Sequence, residues 1–250
     1  MAEADWDVLT NGLDPASLLR GVTGAEPPPS GGGAFVHGFR SATASAGAAG
    51  RNTNQADYCP ITPGGGGPPL SVGGGSISGA LKRGPCAVAT GFSPLLYIGM
   101  QAGGPTPSVL DNAYIIGLED SNPHRVVVRK GRVVDGVPAA TSLNSLMRSI
   151  KTANIDTWWH VRLDMIVNPT GDVVLRVFEN DLAVNPVTAP DWQELEMDGA
   201  TDGINGFIDD ALGAASGSLP YIGGYTGFAC QVAGQGRRVY FDQITIARQV

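Results

Sequence analysis

Residues that build metal centres and disulfide frameworks are scarce in this sequence. The chain of 250 residues has 3 cysteines and 3 histidines. The histidines show neither the HxH nor the HxxxH spacing of paired metal ligands. Cys59, Cys86 and Cys230 are too few and too scattered to indicate a metal site or a disulfide framework. We therefore predict no bound cofactor from these residue types, and the disulfide state of the cysteines stays open.

Charge is also scarce, and one sign is missing from a long stretch. Charged residues make up 16% of the chain, against about 25% in a typical globular protein. Lysine and arginine are absent between Arg176 and Arg237, so residues 177–250 hold ten acidic and three basic residues and carry the whole net charge of −7. A net-acidic chain is a poor general binder of nucleic acid and of anionic membranes. We predict neither partner.

One local basic stretch runs against this trend. Arg125, Arg129, Lys130 and Arg132 alternate with valines. Such alternation is typical of the exposed face of a strand, and we favour that interpretation over phosphate binding.

The sequence has no run of about 20 apolar residues, the length that crosses a bilayer. Its first residues, MAEADWDVL, are acidic and lack the apolar core of a signal peptide. We therefore expect no membrane span and synthesis in a cytoplasm, from which the protein could leave as part of a larger particle.

Glycine and proline, by contrast, are abundant, with 36 and 18 residues. Both are poor helix formers, which excludes a helical bundle. Full disorder is excluded because 42% of the chain is hydrophobic and can supply a core. Short period-2 segments predict ten to twelve strands, the clearest being Trp158–Val167 and Val239–Ala247. We predict an all-β fold, an antiparallel two-sheet jelly-roll sandwich over residues 34–250, with a long Gly/Pro-rich loop at 60–75.

One segment is ambiguous between helix and strand. Leu143, Leu146, Met147 and Ile150 follow the i, i+3, i+4, i+7 spacing of an amphipathic helix. The surrounding strands offer no second helix to share a layer, so we predict a strand here.

Residues 1–33 are predicted to be an extended N-terminal arm with a Pro/Gly-rich linker. Asp14 to Gly21 has the capping signals of a short helix: Asp14 as N-cap, Pro15 in the first turn and Gly21 at the C-terminal left-handed position. One or two turns cannot stand alone, so the apolar residues of the arm need a surface to pack on. The residues predicted to dock onto a partner are Trp6, Val8, Leu9, Leu13, Leu18 and Leu19.

The hairpin sequence Trp158–Phe178 resembles the W-x-H-x-R-L-D…G-D-x-x-L-x-V strand pair of concanavalin A-like, laminin-G-like jelly-roll domains. Residues 238–244 are similar to the closing strand of that superfamily, and residues 114–118 and 126–131 look like its central strands. Combined with the Gly-rich arm, these segments are similar to virion proteins of tailed bacteriophages.

This resemblance implies a non-enzymatic structural protein of a tailed-phage virion, a component of the tail or baseplate or of the head decoration. The implied partners are other virion proteins and further copies of the chain in a symmetric particle. The alternative is a lectin-like, carbohydrate-binding module that contacts host glycans. A third option is a glucanase-like hydrolase.

A glucanase needs two carboxylates that face each other across a sugar, on one face of a strand with E-x-D-x-E spacing. Glu194, Glu196 and Asp198 have the right period but the wrong order of residue types. Nearby Pro190 and Gly199 indicate an edge strand or loop. We therefore predict a solvated acidic face and no catalytic residues.

Calcium is the one metal that the sequence leaves open. Asp198, Asp202, Asp209 and Asp210 could supply oxygen ligands to a structural Ca²⁺ ion, and no base lies nearby in the sequence to neutralise them. The segment lacks the D-x-D-x-D-G spacing of a loop site.

Three tryptophans and one histidine complete the candidates. Trp192 is the predicted glycan contact. Trp158 and Trp159 are adjacent and must point to opposite faces of a strand, so one of them is predicted to lie in the core. His160 alternates with Arg162 and Asp164, which predicts a hydrogen-bonding row on the surface.

Overall fold

Regular structure in the computed structural model consists of β-strands. The structure describes residues 6–8, 19–22, 28–31, 34–37, 61–63, 74–83, 94–100, 113–119, 123–131, 133–134, 137–138, 144–154, 156–200, 205–213, 218–229 and 239–248. No helix lies in these segments, and hence none there is long and apolar enough to cross a membrane. The strands are β1 Trp6–Val8, β2 Leu19–Val22, β3 Ala34–His37, β4 Ile61–Pro63, β5 Gly74–Arg83, β6 Leu95–Met100, β7 Tyr114–Leu118, β8 Val126–Lys130, β9 Val133–Val134, β10 Val137–Pro138, β11 Asn144–Ser149, β12 Trp158–Val167, β13 Val173–Asn180, β14 Gln193–Glu194, β15 Met197–Asp198, β16 Phe207–Asp209, β17 Tyr225–Ala229 and β18 Val239–Arg248.

Two large sheets contain all these strands except β9 and β10, which form a small hairpin. Sheet A has the order β1-β4-β17-β6-β7-β8-β11-β15. Sheet B has the order β14-β13-β12-β5-β18-β3-β2, and β16 pairs with β13 beside this path. The strand pairs are antiparallel in both sheets. The predicted fold class, an antiparallel two-sheet sandwich, is confirmed.

The hairpin of β12 and β13 shows how sequence alternation sets the layers. Trp159, Val161, Leu163 and Met165 of β12 are buried in the core, as their period of two predicts. The connecting turn is closed by hydrogen bonds between Asn168 and Asp172 and from the Gly171 N–H to the Asn168 carbonyl, with Gly171 at φ 91°. The predicted hairpin is confirmed, and so is the prediction that one tryptophan of the adjacent pair is a core residue.

The core lies between the inner faces of the two sheets. Both sheets contribute to a single cluster of buried apolar side chains. At one contact, the rings of Phe228 on β17 and Phe241 on β18 lie 4.8 Å apart between centroids. Burial of this two-sided apolar surface is the main force that holds the sheets together.

A register shift in β18 explains a break in the period of its sequence. The apolar residues Phe241 and Ile244 are three positions apart, yet both are buried. The pairing of β18 with β5 shifts between Asp242 and Thr245, and Gln243 has a φ of 48°. The extra residue of this bulge returns the following side chains to the core side.

A second register shift explains the helix-like spacing of residues 143–150. The pairing of β11 with β8 shifts between Ser145 and Met147, and the adjacent residues Leu146 and Met147 are both buried. The bulge therefore reproduces the i, i+1 burial that also occurs on the apolar face of a helix. The prediction of a strand is confirmed.

The N-terminal helix prediction is not supported. Residues 19–21, its predicted last turn, lie in β2, which pairs with β3 at the edge of sheet B. Trp6 and Val8 lie in β1, which pairs with β4 at the edge of sheet A. The other residues of the predicted helix and the docking candidates Leu9, Leu13 and Leu18 lie outside the described residues.

The predicted linker and loop are also partly described. In the linker, Ser30 donates both its backbone N–H and its hydroxyl to the carboxylate of Asp242 on β18, each at 2.8 Å. The linker therefore contacts sheet B. Of the predicted loop at 60–75, residues 61–63 form β4 and β5 begins at Gly74. The three cysteines lie outside the described residues.

Candidate functional site

Polar and aromatic side chains line the outer face of sheet B, the face that points away from the core. They come from the outward positions of β12 and β13, which alternate with the buried positions of the same strands. Side chains that face each other across two strands lie close enough to interact. The opposed outward pairs are His160 with Asn180, Arg162 with Phe178, and Asp164 with Arg176.

Trp192, the predicted glycan contact, lies against this row and is half-buried. The centroid of its ring lies 4.5 Å from that of His160, and the guanidinium carbon of Arg162 lies 5.3 Å from the Trp192 centroid. The preceding residue is fixed by a hydrogen bond of 2.9 Å from the Asp191 N–H to the Asn180 side-chain oxygen. The structure thus holds this tryptophan on the outer face while part of its surface stays accessible.

His160 is buried, which corrects the prediction that it belongs to a surface row. Its exposed fraction is 2%, and its Nδ1 lies 3.1 Å from the side-chain nitrogen of Asn180. Burial lowers the pKa of His160 to about 4 because the charged ring would lose its hydration. Neutral His160 therefore serves as a packing support for Trp192 at physiological pH.

This low pKa predicts a loss of stability in acid. The unfolded chain takes up a proton on His160 near its ordinary pKa of 6.5, whereas the folded protein does so only near 4. Stability is therefore lost as the pH falls from about 6.5 to about 4, by up to about 3 kcal/mol from this residue. We expect His160→Gln to flatten that part of the curve of unfolding free energy against pH. Parallel curves for the variant and the wild type, measured by urea unfolding, would contradict this role.

Arg162 and Asp164 form an ion pair in the middle of the row. Arg162 Nε lies 2.8 Å from Asp164 Oδ1, and Nη2 donates to Oδ2 at 3.0 Å. The Arg162 guanidinium carbon lies 4.2 Å from the centroid of the Phe178 ring. Burial raises the pKa of Asp164, and the neighbouring Arg162 opposes that rise. Both side chains keep about a fifth to a quarter of their surface exposed, so a ligand can reach them.

Two further features border this pair. Arg176 Nη1 lies 3.7 Å from Glu194 Oε1, which extends the polar row to β14. On the other side, Asp164 lines a groove of about 240 Å³ between β12, β5 and β18. Trp192, Arg162, Asp164 and the groove therefore follow one another across the outer face.

The acidic segment considered for glucanase chemistry is divided between the two sheets. Glu194 lies in β14 at the edge of sheet B, whereas Asp198 lies in β15 at the edge of sheet A. The intervening Leu195 is buried, and Glu196 and Asp198 are exposed. The three carboxylates therefore do not lie on one face of one strand, as E-x-D-x-E chemistry requires.

The calcium candidates are in different environments. Asp198 is exposed on β15, and Asp210 accepts a hydrogen bond of 2.9 Å from the Leu212 N–H. Asp209 is buried and bonded to a lysine, and Asp202 lies outside the described residues. Within the described segments, no group of three or more His, Cys, Asp or Glu side chains is close enough to hold a metal ion.

The lysine that binds Asp209 is Lys130, and this contact corrects two expectations. Lys130 was predicted to lie on an exposed strand face, but it is fully buried, and its Nζ lies 2.6 Å from Asp209 Oδ2. A base therefore neutralises Asp209, although none lies near it in the sequence. Arg125 and Arg129 of the same basic stretch are half-buried, and Arg132 lies outside the described residues.

A buried network surrounds this ion pair. Lys130 also donates to the carbonyls of Ser218 and Leu219, at 2.7 and 2.9 Å. The Tyr114 hydroxyl donates a short hydrogen bond to Asp209 and accepts one of 3.0 Å from the Tyr221 N–H. Burial, and secondly the charge of Asp209, raises the pKa of Tyr114, so its hydroxyl stays protonated as a donor. The network fastens β16 and residues 218–221 to sheet A.

Comparison with known proteins yields similarities of fold. No family model and no curated protein matches the chain. It is similar to a carbohydrate esterase from the Shiga toxin-encoding bacteriophage phi24B, with 14% identity, a TM-score of 0.44, and coverage of 98% of this chain and 91% of that chain. It is similar to the exoplasmic/lumenal domain of VIP36 in its Ca²⁺/Man3GlcNAc-bound form, with 11% identity, a TM-score of 0.48, and coverage of 98% and 86%. It is also similar to a legume lectin-like domain from Entamoeba histolytica, with 9% identity, a TM-score of 0.45, and coverage of 98% of this chain and 90% of that chain. The two antiparallel sheets of the structure agree with the jelly-roll sandwich predicted from the sequence.

Proposed function

We propose that this protein is a non-enzymatic, lectin-like module that binds carbohydrate on the outer face of sheet B. The observation that carries the proposal is the placement of Trp192. Its ring is half-buried, held against Arg162, and followed along the face by the ion pair of Arg162 with Asp164.

The chemistry of this face suits a sugar. A pyranose ring has an apolar C–H surface that packs on an aromatic ring, and hydroxyl groups that need charged or amide partners. Trp192 offers the first, and the carboxylates of Asp164 and Glu194 offer strong acceptors beside it. Binding sites of this kind combine an apolar surface with a few fixed polar groups.

Trp192→Ala should weaken glycan binding by the full chain. We expect the wild type to bind at least one glycan on an array and the variant to lose at least about tenfold in affinity, as for a central aromatic contact. Trp158→Ala is the matched control, because Trp158 is also half-buried on β12 but packs against Tyr240, with 6.2 Å between ring centroids. Equal binding by the wild type and Trp192→Ala, or binding to no glycan, would overturn the proposal.

A structural role in a tailed-phage virion is our second proposal, and one observation favours it. Leu212, Leu219 and Ile222 expose 88, 67 and 44% of their surface. Leu212 and Leu219 flank a close backbone contact, since a Cβ atom on Gly213 would lie 2.5 Å from the Ser218 carbonyl carbon. Exposed apolar residues that lie close together are typical of protein interfaces, and here Leu212 and Leu219 would contact a neighbouring virion protein.

The virion proposal is tested with point variants, because deleting residues 1–30 would remove the edge strands β1 and β2. We expect Leu212→Ser combined with Leu219→Ser to fold normally and to be missing from assembled phage particles in an immunoblot. Val184→Ser is the control, because Val184 is 75% exposed in a different loop. Normal incorporation of the double variant would refute this docking surface.

A further inference from the structure

The groove beside Asp164 owes its shape to the small residues of β5. This strand lies between β12 and β18, and at this point it carries Gly75 and Ser76. Neighbouring strands are about 4.8 Å apart, so the flanking strands leave a trough about 10 Å wide above β5. With a volume of about 240 Å³, the groove is smaller than the usual pocket for a drug-sized ligand. It suits one small ring.

The walls of the groove differ in chemistry. Asp164 and Ser76 face each other across β12 and β5, and Ala247 lies opposite Ser76 on β18. Ile166 is the next outward residue of β12, and Arg248 lines the end of the groove on β18. The groove therefore has Asp164 and Ile166 on its β12 wall, Ser76 on its floor and Ala247 on its β18 wall, so that a carboxylate and a hydroxyl lie beside apolar carbon atoms.

We propose that this groove is a subsite for one neutral hexopyranose unit of the glycan that packs on Trp192. The sugar hydroxyls bind Asp164 and Ser76, and the C–H face of the ring packs on Ile166 and Ala247. The proposal rests on the proposed carbohydrate-binding function and adds to it the position and the charge of a second sugar unit.

Asp164 gives the subsite its preference for a neutral sugar. Arg162 Nη2 donates a hydrogen bond to Asp164 Oδ2, whereas Arg162 Nε lies 2.8 Å from Oδ1 as an ion-pair contact without a hydrogen bond. A carboxylate oxygen has two acceptor positions, so Oδ2 keeps one for a sugar hydroxyl, which donates a charge-assisted hydrogen bond. A uronic acid in the same place would bring its own carboxylate against that of Asp164. Arg248 lies at the exposed end, where solvent weakens its attraction for an anion.

The distance between the two parts of the site fits a short oligosaccharide. Alternate residues of a strand are about 7 Å apart, so Asp164 lies one such step from Arg162, which contacts Trp192. The test therefore uses tetrasaccharides of glucose, mannose and galactose and the corresponding uronic acid tetrasaccharides, bound to the full chain and measured by calorimetry.

Two variants fill the groove, and one control leaves it open. Ser76→Phe fills it from β5, and Ala247→Phe fills it from an exposed position on β18. Thr245→Phe is the matched control, because Thr245 is exposed on the same strand, pairs with Ser78 and does not line the groove. Melting temperatures close to that of the wild type establish that each variant is folded.

We expect the wild type to bind a neutral tetrasaccharide at least about tenfold more tightly than its uronic acid counterpart, the loss associated with one charged hydrogen bond. Ser76→Phe and Ala247→Phe should each lose at least about tenfold in affinity for the neutral tetrasaccharide, and Thr245→Phe should keep the wild-type affinity. Asp164→Asn should reduce the preference for the neutral sugar.

Three results would overturn the subsite. These are wild-type affinity in Ser76→Phe and Ala247→Phe, equal or tighter binding of the uronic acid series, and an unchanged preference in Asp164→Asn. If Trp192→Ala weakens binding while the groove-filling variants bind normally, the subsite fails and the carbohydrate-binding function stands. If the wild type binds no glycan, both fail.

Discussion

Replacing Lys130 with methionine should lower the free energy of unfolding by about 3–5 kcal/mol, the typical loss when one partner of a buried ion pair is removed. The variant leaves the carboxylate of Asp209 buried with an exposed fraction of 0% and without its cation. The carbonyls of Ser218 and Leu219 also lose a donor. Unfolding in guanidinium chloride, followed by circular dichroism, measures the loss.

The same substitution at an exposed lysine provides the control. Lys151 also lies 2.8 Å from a carboxylate, that of Glu179, but its side chain is 53% exposed. Lys151→Met should therefore cost no more than about 1 kcal/mol, as for surface ion pairs in general. Adding Asp209→Asn to Lys130→Met should recover part of the stability, because it removes the buried charge and keeps an acceptor for Tyr114. Equal losses in Lys130→Met and Lys151→Met would contradict the assigned role of the buried pair.

This ion pair also shows what the sequence could not predict. Lys130 and Asp209 are 79 residues apart, and each has an ordinary surface explanation in its own segment. Lys130 continues an alternation of bases with valines, and Asp209 belongs to the acidic stretch between Arg176 and Arg237, which has no basic residue. Only the packing of β16 against β7 and β8 brings the two charges together. A sequence pattern reports which face a residue occupies, but not which distant residue lies opposite it.

The strands were predictable where a local period was strong. The alternation of β12 gave the correct inward set, Trp159, Val161, Leu163 and Met165, and the correct hairpin with β13. Each β-bulge disturbs that period by one residue. In β18 the disturbance left the strand recognisable, whereas in β11 it imitated the spacing of a helix. For β11 we predicted a strand because the sequence offers no second helix to pack against, and that prediction is correct.

The helix predicted for the N-terminal segment was wrong at residues 19–21, where a local signal was strong but tertiary pairing decided the structure. Asp14, Pro15 and Gly21 are good local helix signals, but a helix of one or two turns has little stability of its own. Pairing of Leu19–Val22 with β3 supplies interstrand hydrogen bonds along the edge of sheet B. Tertiary pairing therefore overrides local propensity here.

The residues on the outer face near Trp192 were only partly apparent in the sequence. Trp192 was predicted as a glycan contact because it is an aromatic residue close to the acidic segment 194–198, and Arg162 and Asp164 were predicted only as members of a surface hydrogen-bonding row. The burial of His160 was not predicted. It depends on Trp192, which lies 32 positions further along the chain and packs against the His160 ring. The groove depends on the order β12-β5-β18, which places small residues between two walls. No local pattern encodes that order.

Phe241→Ala should lower the free energy of unfolding by about 3–5 kcal/mol, the typical loss for a large aromatic residue removed from a core. Phe241 has an exposed fraction of 0% and packs against Phe228 of the opposite sheet, so its removal opens a cavity between the sheets. Phe178→Ala is the control, because Phe178 is half-buried on the outer face under Arg162, where water can occupy the space it leaves. That variant should lose clearly less stability, and so should Phe241→Leu, which leaves a smaller cavity. Chemical unfolding of the three variants checks the order, and a loss in Phe178→Ala as large as that in Phe241→Ala would contradict the core role assigned to Phe241.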